Sequence, residues 1–294
     1  MSLRIALAQW RVGEPRTAEE FTARIASALD SAAAEGAQLA VFPEYLALEL
    51  AAIFGDPVRG DFALSLQALQ DLHQEWLALF AAQARRHAMH LLAGTFLLRM
   101  SNARYRNRAY FFAPDGSVRF QDKLTLTGFE RDSGVIEAGD ELRVFDTVHG
   151  RLAVAVCYDS EFPLYARAQV EVGARLLLVP SCTDTAAGAT RVRTGCLARA
   201  LENQIPVAQS VTAGVAAWSP ALDTNTGTAA IYVPSDRGLP HDGVLAAADG
   251  SAEWLIADVD LDALDAARSD GQVANRTDWE AQRRPDVQRA IVHK

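Results

Sequence analysis

The sequence predicts an α/β fold in a single domain. Short apolar runs such as Gln38–Phe42, Leu152–Val156 and Arg175–Pro180 have the length and composition of buried strands. Stretches with apolar residues three and four apart alternate with them. No fixed-period repeat, low-complexity segment or Pro/Ser linker interrupts that alternation. One domain over residues 1–268 is therefore expected, followed by a charged arm over 269–294.

Leu3–Gln9 alternates as a buried strand. Thr17 is the expected N-cap of a helix, because Glu19 and Glu20 favour a first turn and Phe21, Ile25, Ala28 and Leu29 form an apolar stripe. Gly36 is its expected stop. Gln38–Phe42 then forms a strand ending in Pro43-Glu44. A long helix is predicted over Leu64–His87, with Leu66, Leu69, Leu72, Trp76, Leu79, Phe80 and Ala84 on one face. Met89–Leu98 and Arg108–Ala113 read as paired strands, and Pro114-Asp115-Gly116 is a turn leading to a strand over Ser117–Asp122. Lys123 ends that strand, and LTLTGFERDSG is expected to be a loop.

Val144–Thr147 and Leu152–Val156 frame a His149-Gly150 turn. Beyond Cys157 and Pro163 a helix is expected with Tyr165, Ala168, Gln169 and Val172 at helical spacing, closed by Gly173. Arg175–Pro180 is a strand, Ser181–Thr190 a loop able to line a pocket, and Arg191–Asn203 a helix. Strands follow at Ile205–Val211, Gly227–Val233, Gly243–Ala247 and Glu253–Val259, then a helix from Leu261. The arm is too polar for a core and is expected to pack at a dimer interface.

Composition narrows the function. The chain has 294 residues, 50% hydrophobic and 22% charged, enough for a substantial core. Its net charge of −9 argues against nucleic acid or an acidic membrane surface as partner. The opening MSLRIALAQW reads as a first strand and not as a signal peptide, and no uncharged apolar run approaches the roughly 20 residues that span a bilayer. The three cysteines, Cys157, Cys182 and Cys196, have no CxxC spacing, which disfavours a disulfide scaffold and a zinc site. A cytoplasmic compartment is the expectation. No GxGxxG or GxxxxGK[ST] follows any strand, so a nucleotide-binding reading fails.

Three strand ends present residues able to do chemistry: Glu44, Lys123 and Cys157. The stretch GRLAVAVCYDSEFP has the outline of a nucleophile elbow, in which a sharp turn exposes Cys157 and leaves the N–H groups of Cys157 and Tyr158 near it. Taken alone, Cys157 reads better as a buried thiol, Glu44 as a loop acid and Lys123 as an exposed lysine. Together they supply what a thiol nucleophile needs, a base and a positive charge for the oxyanion. The histidines fit that role poorly. His73 and His87 fall in a helical pattern, His90 in a strand, His149 and His241 in turns and His293 in the arm.

FPEY around Glu44, DKLTLTGFERD around Lys123, VCYDSEFP around Cys157 and RALENQIPV at Arg199–Val207 occur in an order and spacing that resembles the nitrilase, or carbon–nitrogen hydrolase, superfamily. The resemblance runs from Ile5 to Asp286. It implies an αββα sandwich, a homodimer or higher homo-oligomer, no cofactor and no metal. It also implies a catalytic set of Glu44, Lys123 and Cys157, with Glu130 positioning the lysine or substrate and the Tyr158 N–H on the oxyanion. The implied reaction is hydrolysis of a small linear amide through a cysteine thioester. The same fold also serves nitriles and N-carbamoyl amines, and a non-catalytic scaffold would be marked by a lost triad member. Tyr158-Asp159 is similar to amidase branches, whereas nitrilases more often show Trp-Glu there. The family often has His at Thr125, Arg at Glu161 and Glu at Leu164, so the pocket rim differs. Arg191 and Arg193 are candidates for holding a substrate carboxylate.

Overall fold

A computed structural model describes residues 2–292, so His293 lies outside the described residues. The chain opens with strand β1 (Ser2–Arg11), helix α1 (Ala18–Ala34) and strand β2 (Leu39–Phe42). A helical stretch follows, with α2 (Asp56–Arg59), α3 (Phe62–Leu69) and α4 (His73–His87). Next come β3 (His90–Arg99), β4 (Tyr105–Phe112), β5 (Val118–Asp122), the short α5 (Gly128–Asp132), β6 (Val144–Thr147) and β7 (Gly150–Val154). A 3-10 turn over Cys157–Glu161 leads into α6 (Pro163–Glu171), β8 (Ala174–Ser181) and α7 (Ala186–Asn203). The remainder is β9 (Val207–Val215), β10 (Thr224–Asn225), β11 (Ala230–Tyr232), β12 (Val244–Ala247), β13 (Trp254–Asp260), α8 (Leu261–Asp270) and α9 (Asn275–Asp278).

β1 organises the sheets. Its residues Ser2–Ala8 pair antiparallel with β13 and, at Ile5–Leu7, parallel with β2. Its last residues, Gln9–Arg11, pair parallel with β9. One sheet runs outward from β1 through β2, β3, β4 and β5; the other runs through β9, β8, β7 and β6. Alternation along the strands shows how the two sheets stack. Leu3, Ile5, Leu7, Leu39, Val41, Leu92 and Phe111 pack in one core with Leu152, Val154, Leu176, Leu178 and Val207 of the second sheet. Their neighbours Ala6, Ala8, Trp10, Ala40, Phe42, Leu91 and Phe112 face the other way, onto Phe21, Ile25 and Leu29 of α1 and Trp76 and Phe80 of α4. On the far side, Ala166 and Val170 of α6 and Val192, Cys196 and Ala200 of α7 cover the second sheet. The fold is a single αββα sandwich. Each strand that ends on a candidate residue runs in the same direction, so those ends share one edge.

Several expectations change. The long helix breaks into α3 and α4 through a 3-10 turn at Gln70–Leu72. Part of the expected loop after Lys123 is α5, closed by a capping box between Thr127 and Glu130. The second half of the expected loop at 181–190 is helix, because Thr185 caps α7 and the Ala-rich run after it is a good helix former. The buried face of α6 is Ala166, Arg167, Gln169 and Val170, while Ala168 and Val172 are exposed. Gln169 is tolerated inside because its Nε2 donates to the carbonyls of Arg143 and Val154. Beyond α8, which runs through the expected boundary at 268, the arm lies partly on its own chain. Arg276 N–H donates to Gln204, Arg167 stacks over Trp279, and Arg283 pairs with Glu171 on α6.

Candidate active site

Glu44 follows β2 on a tight turn. Tyr45 adopts left-handed φ of 63° and its N–H donates to Thr95 Oγ1 at 2.8 Å. The turn presses against Gly94, where a Cβ would lie 2.1 Å from the Pro43 carbonyl oxygen; only glycine fits. The buried Glu44 carboxylate then accepts three hydrogen bonds: from Lys123 Nζ at 2.7 Å, Asn107 Nδ2 at 2.8 Å and the Cys182 N–H at 3.0 Å.

Lys123 follows β5 and is as buried as Glu44. Its ammonium sits between two carboxylates, Glu44 at 2.7 Å and Glu130 at 2.8 Å. Glu130 is held in turn by the capping box of α5, by the Tyr45 hydroxyl at 2.9 Å and by Asn107 Nδ2 at 3.0 Å. Burial works against the charged lysine, but Glu130 and Glu44 outweigh it and hold Lys123 well above its ordinary value. Burial also opposes ionisation of Glu130, yet Lys123, the Thr127 N–H and Asn107 keep it below the usual carboxylate range. Glu44 goes the other way. Burial raises it, Lys123 pulls it down in part, and Glu130 adds to the rise.

Cys157 stands at the start of the 3-10 turn, three residues beyond the end of β7. The strand thus begins and ends two residues earlier than the expected Leu152–Val156. The backbone of Cys157 is left-handed, with φ of 49°, a conformation that a non-glycine residue holds at a cost of order 1–3 kcal/mol. The surroundings fix it. Ser160 Oγ donates to the Cys157 carbonyl at 2.6 Å, Arg199 Nη1 donates to the Ser160 carbonyl at 2.9 Å, and Gly195 of α7 lets the turn approach so closely that a Cβ would lie 2.9 Å from the Ser160 oxygen. The thiol is 3% exposed, and its sulfur lies 3.5 Å from the Cys182 carbonyl. Burial and the nearby Glu44 push it well above the ordinary thiol value, against the pull of Lys123.

Asp159 ties the lysine and cysteine segments together. Its carboxylate accepts the N–H groups of Leu124 at 2.9 Å and Thr125 at 2.7 Å. Burial pushes it up to about 7, against those two N–H groups and Lys123. Glu44, Lys123 and Cys157 share a cavity of about 280 Å³ with Tyr158, Phe129 and Cys182; Asp184, Arg191 and Asp223 stand at its exposed rim. A thiol, a carboxylate with a raised pKa and a lysine held cationic can together perform acyl transfer. Arg191 lines the cavity, but its Nε lies 3.6 Å from Glu161. Arg193 lies instead beside Gln209 and Tyr232 in a different cavity. Both arginines are on α7, within the stretch expected to be helical.

Residues 4–269 match the model of the carbon-nitrogen hydrolase family. The chain belongs to this family. Among its relatives, the chain is 32% identical over 286 residues to a probable hydrolase, YhcX, of Bacillus subtilis; the match covers 97% of this chain and 54% of that one. The chain therefore spans about half the length of that relative. It is 26% identical to a chloroplastic omega-amidase of Arabidopsis thaliana, covering 89% of this chain and 69% of the relative. In fold it is similar to the C. elegans NitFhit protein, with a TM-score of 0.75 and 23% identity over 91% of this chain and 63% of that one.

Asn107, Tyr45 and Asp159 belong to the site but were not singled out as candidates from the sequence. Asn107 had a signal: strand alternation sets it on the inward face of β4 with Tyr105, Ala109 and Phe111, and a fully buried amide there needs partners. The five described histidines stay outside the cavity lining. His73 bonds the Tyr110 hydroxyl at 2.7 Å, and His90 packs against Phe111 and His149.

Proposed function

We propose that this carbon–nitrogen hydrolase cleaves small linear amides to a carboxylate and ammonia or amine, through a thioester on Cys157. The observation that carries the reading is a lysine ammonium within 2.8 Å of two buried carboxylates, in the cavity that holds a buried cysteine. In the proposed first half-reaction, Glu44 takes the Cys157 proton as sulfur attacks the amide carbon. Lys123 and the N–H of Tyr158 hold the oxyanion. Glu44 then gives its proton to the departing nitrogen, the C–N bond breaks and the thioester remains. In the second half, Glu44 takes a proton from water as the water oxygen adds to the thioester, and the C–S bond then breaks to release the acid while Glu44 returns that proton to the Cys157 sulfur. Glu130 keeps Lys123 charged and fixed throughout.

A base whose pKa is raised suits both tasks, since it accepts a proton readily and returns it readily. The relatives named omega-amidases support amides over nitriles or N-carbamoyl compounds. As part of the same reading, we propose a homodimer with the arm at its interface and a reducing, cytoplasmic setting suited to three free thiols.

The test is intact-protein mass after quenching with panels of amides, N-carbamoyl amines and nitriles, with ammonia assayed in parallel. The expected result is an acyl adduct from amides that is absent in Cys157→Ala. Ammonia release that persists in Cys157→Ala would overturn the mechanism. Silence across the panels would favour a non-catalytic scaffold.

A further inference from the structure

The rim of the cavity has a charge pattern that the reaction itself does not use. Glu161, Asp184 and Asp223 line it, with Arg191 as the rim's cation. Arg191 is within ion-pair reach of Glu161, which leaves little of its charge for a ligand. Among the described residues, no Lys, Arg or His pairs with Asp184 or Asp223. Asp223 accepts the N–H of Thr224 at 2.8 Å, and Asp184 is exposed at the end of the loop that carries Cys182. Deeper in, Lys123 is already held by Glu44 and Glu130. A substrate carboxylate would meet two acids without an ion-pair partner and one rim arginine that already faces Glu161, whereas a substrate ammonium would meet two acids ready to receive it. Two aromatic residues, Phe129 and Tyr158, also line the cavity, and such rings favour an alkyl chain ending in a cation.

We propose that this site takes small linear amides that carry a protonated amine at the end away from the scissile bond, selected by Asp184 and Asp223. The inference rests on the amidase reading above. The acids are exposed residues of the same cavity that the buried Cys157 lines. The small volume, about 280 Å³, suits a short chain. The attraction acts at an exposed rim, so it is modest and sensitive to salt.

Turnover of γ-aminobutyramide, butyramide and succinamic acid tests this, because the three share a length and differ in charge. At roughly 10 mM salt, kcat/KM is expected to be about tenfold higher for the amino amide than for butyramide, and lowest for succinamate. The preference should shrink at roughly 300 mM salt. In the Asp184→Asn/Asp223→Asn variant, the ratio of amino amide to succinamate should fall at least severalfold. Arg191→Ala should raise that ratio, since it frees Glu161. A preference for succinamate, or a ratio indifferent to the double substitution, overturns the selection by the rim while leaving the amidase reading intact. No ammonia and no Cys157 adduct from any of the three overturns the amidase reading, and this inference with it.

Discussion

Cys157 and Glu44 form an unusual resting pair, a thiol held protonated beside a carboxylate whose pKa burial has raised. Such a thiol does not behave like the pre-formed thiolate of a cysteine–histidine pair. Alkylation of Cys157 by iodoacetamide should therefore be slow near neutral pH and accelerate only above the ordinary thiol value of 9.0. Rapid labelling at neutral pH would contradict this description of the pair. Amide turnover should show the complementary profile. Glu44 must be ionised to accept the proton, so activity is lost as pH falls through its raised pKa, and the acid limb should lie above 4.5. Lys123 stays charged well beyond 10.5, so it should impose no alkaline loss below that value. At this scale the sequence was informative wherever a reactive residue ended a strand, as at Glu44, Lys123 and Cys157. The signal at Asn107 went unused because the expected strand began at Arg108, whereas β4 begins at Tyr105 and carries Asn107 on its inward face.

The elements hold those residues in place through links between distant segments. The firmest is Asp159 of the 3-10 turn, bonded to the two backbone N–H groups that follow Lys123. Asp159→Ala leaves both N–H groups without their partner, at a cost of about 3 kcal/mol. It also frees the lysine from the cysteine turn, and a displacement of about 1 Å at a reacting group lowers kcat about 100-fold. Urea titration and turnover measure the two losses. Retention of both would show that the turn and the lysine loop are held by other contacts. Elements with strong local signals were legible, among them the Thr17 cap of α1 and the Pro114-Asp115-Gly116 turn. Those hidden by composition were not. Gly188 and the polar residues around it make the start of α7 look like a loop, while Gly195, further along the helix, is where the Cys157 turn packs against it.

For the whole molecule, the alternation of strands and helices was enough for a one-domain α/β fold. The stacking of two sheets was not legible from it, and came only with the family resemblance, because periodicity does not say which strands pair. The arm is the other whole-molecule question. It bonds to α6 and α7 of its own chain as far as Arg283, while Val287, Ile291 and Val292 are exposed apolar residues beyond that point. Removing residues 284–294 should leave the fold intact and, if the arm reaches a second subunit, weaken self-association in light scattering. An unchanged oligomer would refute the interface. The sharing of β1 between both sheets has a consequence for synthesis. Its pairing partners are β2, β9 and β13, and the last of these ends at Asp260. At about 5–20 residues per second, a ribosome needs on the order of 10–50 s to reach β13 after making β1. Throughout that interval the nascent chain carries an apolar strand with an open edge, which other chains can pair with. The strand that unites the finished protein is thus one whose edge stays open until the chain is almost fully made.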